Sequence, residues 1–168
     1  GRKPQRMIRT QLVKSFANRR GSTEISAALS TESQSYFQKP AEDLTPAAVL
    51  VPIIDHTNDL TILLTQRSPL LKDHPGQVSF PGGRSEDIDV DSTATALRES
   101  EEEIGLNPRQ VTILGNLDIC LTGTGYRVMP VVGLVTPPLK LRLDSSEVAD
   151  AFEVPLKIIL DARNYREL

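Results

Sequence analysis

The chain has 168 residues, 39% hydrophobic and 24% charged, which fits one folded globular unit with its own apolar core and excludes wholesale disorder or a fibrous repeat. Lys and Arg number 19 against 22 Asp and Glu, a net charge of −3, so the field needed for general nucleic-acid binding or an anionic membrane is absent. The single cysteine, Cys120, cannot form an internal disulfide or a Cys-rich zinc site, and no apolar run approaches the ~20 residues that cross a bilayer.

These features predict a reducing compartment, the cytoplasm or an organelle interior, with no membrane partner. The first residues, starting at Gly1 with Met7 further in, carry no functional weight. Ile8, Leu12, Val13, Phe16 and Ala17 form one apolar stripe on a short helix stopped near Gly21, with Arg9, Lys14, Arg19 and Arg20 toward solvent. Residues 22–45 read as a long polar connection. Residues 47–55 and 60–65 read as paired strands around the turn His56 to Asp59, and Pro52 predicts an edge or a bulge in the first. Residues 68–84, rich in Pro and Gly, predict an extended loop with a short strand at 78–80. Ser92 is the expected N-cap of a helix running to about Ile104, stopped by Gly105 in a left-handed conformation, with Pro108 beyond. Strands over 111–119, 128–135 and 148–154 and a short helix over 155–161 follow. The interleaving predicts a mixed α/β fold with helices packed on a sheet. The expected organisation is an N-terminal helix and connection over 1–44 and the main unit over 45–168, one globular domain overall.

The helix holds the chemistry. With Arg98 at 0°, Glu102 falls at about 40°, Glu99 at about 100° and Glu103 at about 140°, so three carboxylates and a guanidinium share a face. Ala96, Leu97, Ser100 and Ile104 form the opposite, packing face, and Glu101 stands apart. Composition alone reads such a run as a solvated surface. Like charges at this spacing repel, and a divalent cation would compensate them. All-oxygen donors without nearby Cys or paired His suit Mg²⁺ or Mn²⁺ and not zinc.

Gly83, Asp89, Arg98, Glu99, Glu102, Glu103, Gly105 and Leu106 together resemble the Nudix box, G-x5-E-x7-R-E-U-x-E-E-x-G-U with U aliphatic. Asp89 stands for the usual Glu, eight residues instead of seven separate it from Arg98, and Ser100 fills an aliphatic position. Leu63-Leu64-Thr65-Gln66-Arg67-Ser68, Gly76 and Phe80-Pro81-Gly82-Gly83 resemble the further signature of the coenzyme A pyrophosphatase branch, L-L-T-x-R-S-x3-R-x3-G-x3-F-P-G-G. Lys72 replaces its second arginine, keeping the charge but losing the bidentate fork.

This resemblance implies an α/β/α sandwich with a mixed sheet between helices. It implies hydrolysis of coenzyme A or its thioesters to 3′,5′-ADP and 4′-phosphopantetheine or its acyl derivative. Glu99, Glu102 and Glu103 are then the metal ligands, Arg98 holds the cluster by ion pairs, and Gly82 and Gly83 allow close backbone approach. Glu103 or Glu147 is the general base, and Arg67 and Lys72 contact the adenosine 3′-phosphate or the diphosphate. The partner is a small molecule, and the sequence is silent on oligomeric state. A nucleoside diphosphate of another kind, or a non-catalytic nucleotide-binding module, is the alternative. His74 either touches substrate or is a hydrogen-bonded loop residue, His56 reads as a turn residue, Cys120 as an inert core thiol, and Tyr126 either stacks on a ligand or packs. Nudix folds close with a further helix, so a C-terminal segment is expected beyond Leu168, and the visible Arg166-Glu167-Leu168 is not the Ser-Lys-Leu peroxisomal address.

Overall fold

Strand β1 (Thr45–Asp55) alternates its side chains between two apolar clusters, and this alternation organises the fold. The computed structural model describes residues 43–159, so the helix expected over 8–21, the connection up to residue 42 and the last part of the 155–161 helix lie outside the described residues. After β1 come β2 (Leu60–Arg67), β3 (Val78–Ser79), β4 (Gly82–Arg84), helix α1 (Ser92–Ile104), a 3-10 turn (Pro108–Gln110), β5 (Val111–Asn116), β6 (Cys120–Leu121), β7 (Tyr126–Val135) and β8 (Val148–Pro155).

All eight strands form one mixed sheet whose main path is β3-β2-β1-β7-β5, with β4 on β1, β6 on β7 and β8 on β2. β1 and β7 run parallel from Thr45 opposite Tyr126 to Ile54 opposite Val135, and the other pairings are antiparallel. Ala48, Leu50 and Ile54 pack against Ala96, Ile104 and Leu106 on the α1 side. Val51 and Ile53 meet Ile62, Val132, Leu134 and Leu156 on the other face, with Ile159 from the helical turn 156–159 against them. Helical structure therefore covers both faces, which is why β1 is an apolar run and not a polar–apolar alternation.

Pro52 corrects the expectation for β1. The strand is central, and its register with β7 passes through Pro52 opposite Gly133 without a shift. On the other side β4 pairs with Ala47 to Val49 and β2 with Ile53 to Asp55. Leu50 donates its N–H to the Pro81 carbonyl on that side. Pro52 has the same parity, so its missing donor falls where the ladder passes from β4 to β2 and no donor is required.

The helix boundary also moves by one residue. Asp91, not Ser92, is the N-cap: its backbone is extended and its Oδ1 accepts the Ala94 N–H at 2.8 Å. Gly105 closes the helix as expected, at φ 68°, with its N–H donating to the Glu101 carbonyl at 2.9 Å. The N–H groups of Arg142 and Asp144 then satisfy the Ile104 and Glu103 carbonyls, each at 2.8 Å, so the segment before β8 is bound to the end of α1. The other strands differ from expectation at their ends: the run expected over 111–119 stops at Asn116, after a register shift between Ile113 and Gly115, and β7 starts at Tyr126.

Candidate active site

The packing of α1 on the sheet turns its carboxylates toward β4. Gly83, opposite Ala48, faces the helix so closely that a Cβ there would lie 2.6 Å from the Glu99 carboxyl carbon. Gly82 meets backbone instead, 2.3 Å from the Ala48 carbonyl oxygen to a built Cβ. The outward edge of β4 is occupied by helix side chains: the Gly82 N–H donates to Glu103 Oε2 at 3.3 Å, and Arg98 Nη2 donates to the Arg84 carbonyl at 3.1 Å.

Arg98 is the hub. Its Nε and Nη2 donate to the two oxygens of Asp89, both at 2.9 Å, a bidentate pair that leaves the Asp89 side chain 5% exposed. Nη1 donates to Glu99 Oε1 at 3.0 Å and Glu102 Oε2 at 3.4 Å. The guanidinium holds the Asp89 carboxyl far below the usual carboxylate range, helped by the Glu86 N–H and the Thr95 hydroxyl. Asp89 fills the first acidic position of the box in place of Glu, and its position nine residues before Arg98 gives no sign that it anchors the guanidinium.

Glu103 is 9% exposed, and burial pushes its carboxyl up to about 8 against the Gly82 N–H, which lowers it. Glu147 and Glu99 raise it further, and Arg67 lowers it. Burial likewise raises Glu99, opposed by Arg98 and reinforced by Glu102 and Glu147. These mutual effects bring Glu99, Glu103, Glu147 and Arg67 into one electrostatic neighbourhood drawn from α1, the start of β8 and the end of β2. Ser68 fixes the last two relative to each other by donating its N–H to the Glu147 carbonyl at 2.8 Å.

Among the described residues, no three His, Cys, Asp or Glu side chains are drawn together as a closed metal-holding group. Arg98 spans Glu99 and Glu102 in this arrangement. The donor chemistry nevertheless fits a hard divalent cation: three carboxylates lie at helical spacings of three and four, and one of them, Glu103, is buried without a cationic ion-pair partner among the described residues.

The remaining expected residues divide. Arg67 reaches the site's field and is steadied by Nε donating to the Asp73 carbonyl at 3.2 Å. Lys72 is exposed on the loop after β2, with no ion pair among the described residues. His74 is an exposed turn residue at φ 50° whose carbonyl accepts the Gln77 N–H, as a loop role requires. His56 does more than turn the chain, because its Nε2 lies 2.5 Å from Glu153 Oε1. Cys120 is half-buried on β6 and belongs to neither apolar cluster, so it is not a core thiol. Tyr126 carries the Arg84 guanidinium at 3.4 Å, a contact that sequence spacing could not indicate.

Fold and site together define an α/β protein with a helix-borne carboxylate centre against a glycine-rich strand. The NUDIX domain family model matches residues 44–166. The chain is 45% identical over 122 residues to the uncharacterized Nudix hydrolase NudL of Escherichia coli K12 and 47% identical over 122 residues to NudL of Photorhabdus laumondii, in each case over 73% of this chain. It spans 63% and 65% of the length of those relatives. The crystal structure of a Caenorhabditis elegans Ap4A hydrolase binary complex aligns with a TM-score of 0.57 at 23% identity, over 72% of this chain and 88% of that one. The chain belongs to the NUDIX domain family. None of the described helices is long and apolar enough to cross a membrane.

Proposed function

We propose that this chain is a Mg²⁺- or Mn²⁺-dependent pyrophosphohydrolase that cleaves coenzyme A or its thioesters to 3′,5′-ADP and 4′-phosphopantetheine or its acyl derivative. The observation that carries this reading is the meeting of the two motifs at Glu103. Its carboxylate accepts the N–H of Gly82 from the Phe80-Pro81-Gly82-Gly83 segment, and it senses Arg67 of the Leu63-to-Ser68 segment. Both segments of the coenzyme A signature thus border the carboxylate helix.

In this reading Glu99, Glu102 and Glu103 hold the cations, which when bound neutralise phosphate charge and activate water. Arg98, fixed by Asp89, orients Glu99 and Glu102. Gly83 leaves the Glu99 carboxyl room that any side chain would take. Arg67 faces the diphosphate, and Lys72 meets substrate only at the rim. Glu103 and Glu147 are the two candidates for the proton acceptor. Burial and the Gly82 hydrogen bond suit Glu103 to ligation, which leaves the exposed Glu147 to take the proton from water.

The test is incubation of the chain with coenzyme A, with and without Mg²⁺ or Mn²⁺, followed by chromatographic separation of products. Glu102→Gln, Glu103→Gln and Glu147→Gln run in parallel. Release of 3′,5′-ADP only with metal and intact carboxylates is expected. A folded protein that leaves coenzyme A intact but cleaves a dinucleotide or nucleotide sugar would reject the substrate assignment. Tight nucleotide binding without any product would identify a binding module.

A further inference from the structure

Among the described residues, Arg84 is a cation without an acidic partner beside a strongly acidic centre. Among the described residues no carboxylate pairs with it, and its guanidinium contacts only the Tyr126 hydroxyl, at 3.4 Å. Arg98, by contrast, is saturated by Asp89, Glu99 and Glu102, and Arg67 is tied to the Asp73 carbonyl.

The backbone explains why Arg84 stays out of the carboxylate cluster. Successive residues of a strand face opposite sides, so Gly83 faces Glu99 while the Arg84 side chain turns to the other face of the sheet. Arg84 is nevertheless held in register with the site, because its own carbonyl accepts from Arg98. Its partner is equally fixed. Tyr126 closes a turn in which the Thr122 N–H donates to the Tyr126 carbonyl at 2.9 Å and the Tyr126 N–H donates to Thr122 Oγ1 at 3.1 Å. Thr45 ties that turn to β1 through the Gly125 carbonyl at 2.9 Å.

β4 pairs only with β1 among the described residues, and its other edge carries the Glu103 and Arg98 contacts. Arg84 therefore stands on the strand whose outward edge those contacts occupy, next to Gly83, which faces Glu99. We infer that Arg84, braced by Tyr126, is a specificity-determining residue that binds a phosphate group of the substrate other than the diphosphate being cleaved. In the coenzyme A reading, on which this inference rests, that group is the ribose 3′-phosphate. An exposed guanidinium with a neutral hydroxyl as its neighbour keeps its fork free for a phosphomonoester, the recognition at which arginine exceeds lysine.

The test uses the full chain with Mg²⁺ and calorimetric titration of 3′,5′-ADP against 5′-AMP, which lacks the 3′-phosphate. The wild-type protein is expected to bind 3′,5′-ADP roughly 10- to 100-fold more tightly. Arg84→Ala should bring that ratio close to one, Arg84→Lys should leave it intermediate, and Tyr126→Phe should reduce it without abolishing it. Unchanged melting temperatures confirm that the variants are folded. A ratio that survives Arg84→Ala, or its absence in the wild type, overturns the inference. Coenzyme A turnover is measured alongside with dephospho-coenzyme A as comparison. Failure to cleave either, with an Arg84-dependent ratio intact, rejects the coenzyme A reading and supports the phosphate contact; cleavage with a ratio indifferent to Arg84 does the reverse.

Discussion

Replacing Glu103 with Gln isolates what its carboxyl costs the metal-free fold. The side chain is 9% exposed, and its protonation is pushed up to about 8 in the folded protein against about 4.3 in an unfolded chain. Between these values the folded state holds a proton that the unfolded state has lost, so stability declines as pH rises. The contribution is complete below about pH 4.3 and gone above about pH 8. At about 1.36 kcal/mol for each tenfold, the interval sets a ceiling of about 5 kcal/mol. Gln keeps an acceptor for the Gly82 N–H but carries no charge at any pH. The assay is urea unfolding with EDTA at several pH values between 4 and 9, read as the difference between wild type and Glu103→Gln. The variant should gain on the wild type up to about pH 8 and level off above it, and Mg²⁺ should narrow the gap at high pH by stabilising the wild type more than the variant. A difference independent of pH would refute the assignment of a buried, proton-holding carboxyl at this position.

Two glycines one residue apart should fail differently. Gly83→Ala presses on the flexible end of Glu99, so metal-dependent activity should fall at least ~10-fold with stability within about 1 kcal/mol, whereas Gly82→Ala presses on the backbone of Ala48 and Val49 and should cost about 1–3 kcal/mol in urea unfolding. Asp89→Asn breaks the bidentate pair with Arg98, whose members are 5% and 16% exposed, and should cost about 2–4 kcal/mol at pH 7. Because Arg98 depresses the Asp89 carboxyl, that stabilisation is present above about pH 3.9 and lost as pH falls below it, so thermal melts of wild type and variant should converge in strong acid. Asp91→Ala removes the acceptor for the Ala94 N–H and should lower stability by about 1 kcal/mol without changing the pH profile of activity.

Local chemistry made much of this molecule legible from its residues. Gly105 stops α1 because a left-handed residue was needed there, and the 100° repeat correctly separated Ala96, Ser100 and Ile104, all buried, from the exposed Glu101. Pro52 misleads because a missing donor indicates only that no bond is made at that position, and a central strand whose one edge is shared by two partners in succession has such a position in its middle. Ser92 and Asp91 are both good caps, and the choice followed from which side chain reached the Ala94 N–H. The roles of Asp89, Arg84 and Tyr126 depended on which loops and strands meet in space. Spacing along the chain contains no such information, and neither the pairing of β4 with β1 nor the turn before β7 was readable from it.

The outward edge of β4 has a consequence for solubility. An unpaired strand edge offers its amides and carbonyls to any other extended chain, and proteins ordinarily blunt such edges with charge or short length. Here the blunting is done by Glu103 and Arg98, whose side chains occupy the Gly82 N–H and the Arg84 carbonyl of a strand three residues long. The side chains proposed for hydrolysis therefore also guard against intermolecular pairing. Variants that replace either with an apolar residue should be examined for self-association before a loss of turnover is ascribed to chemistry.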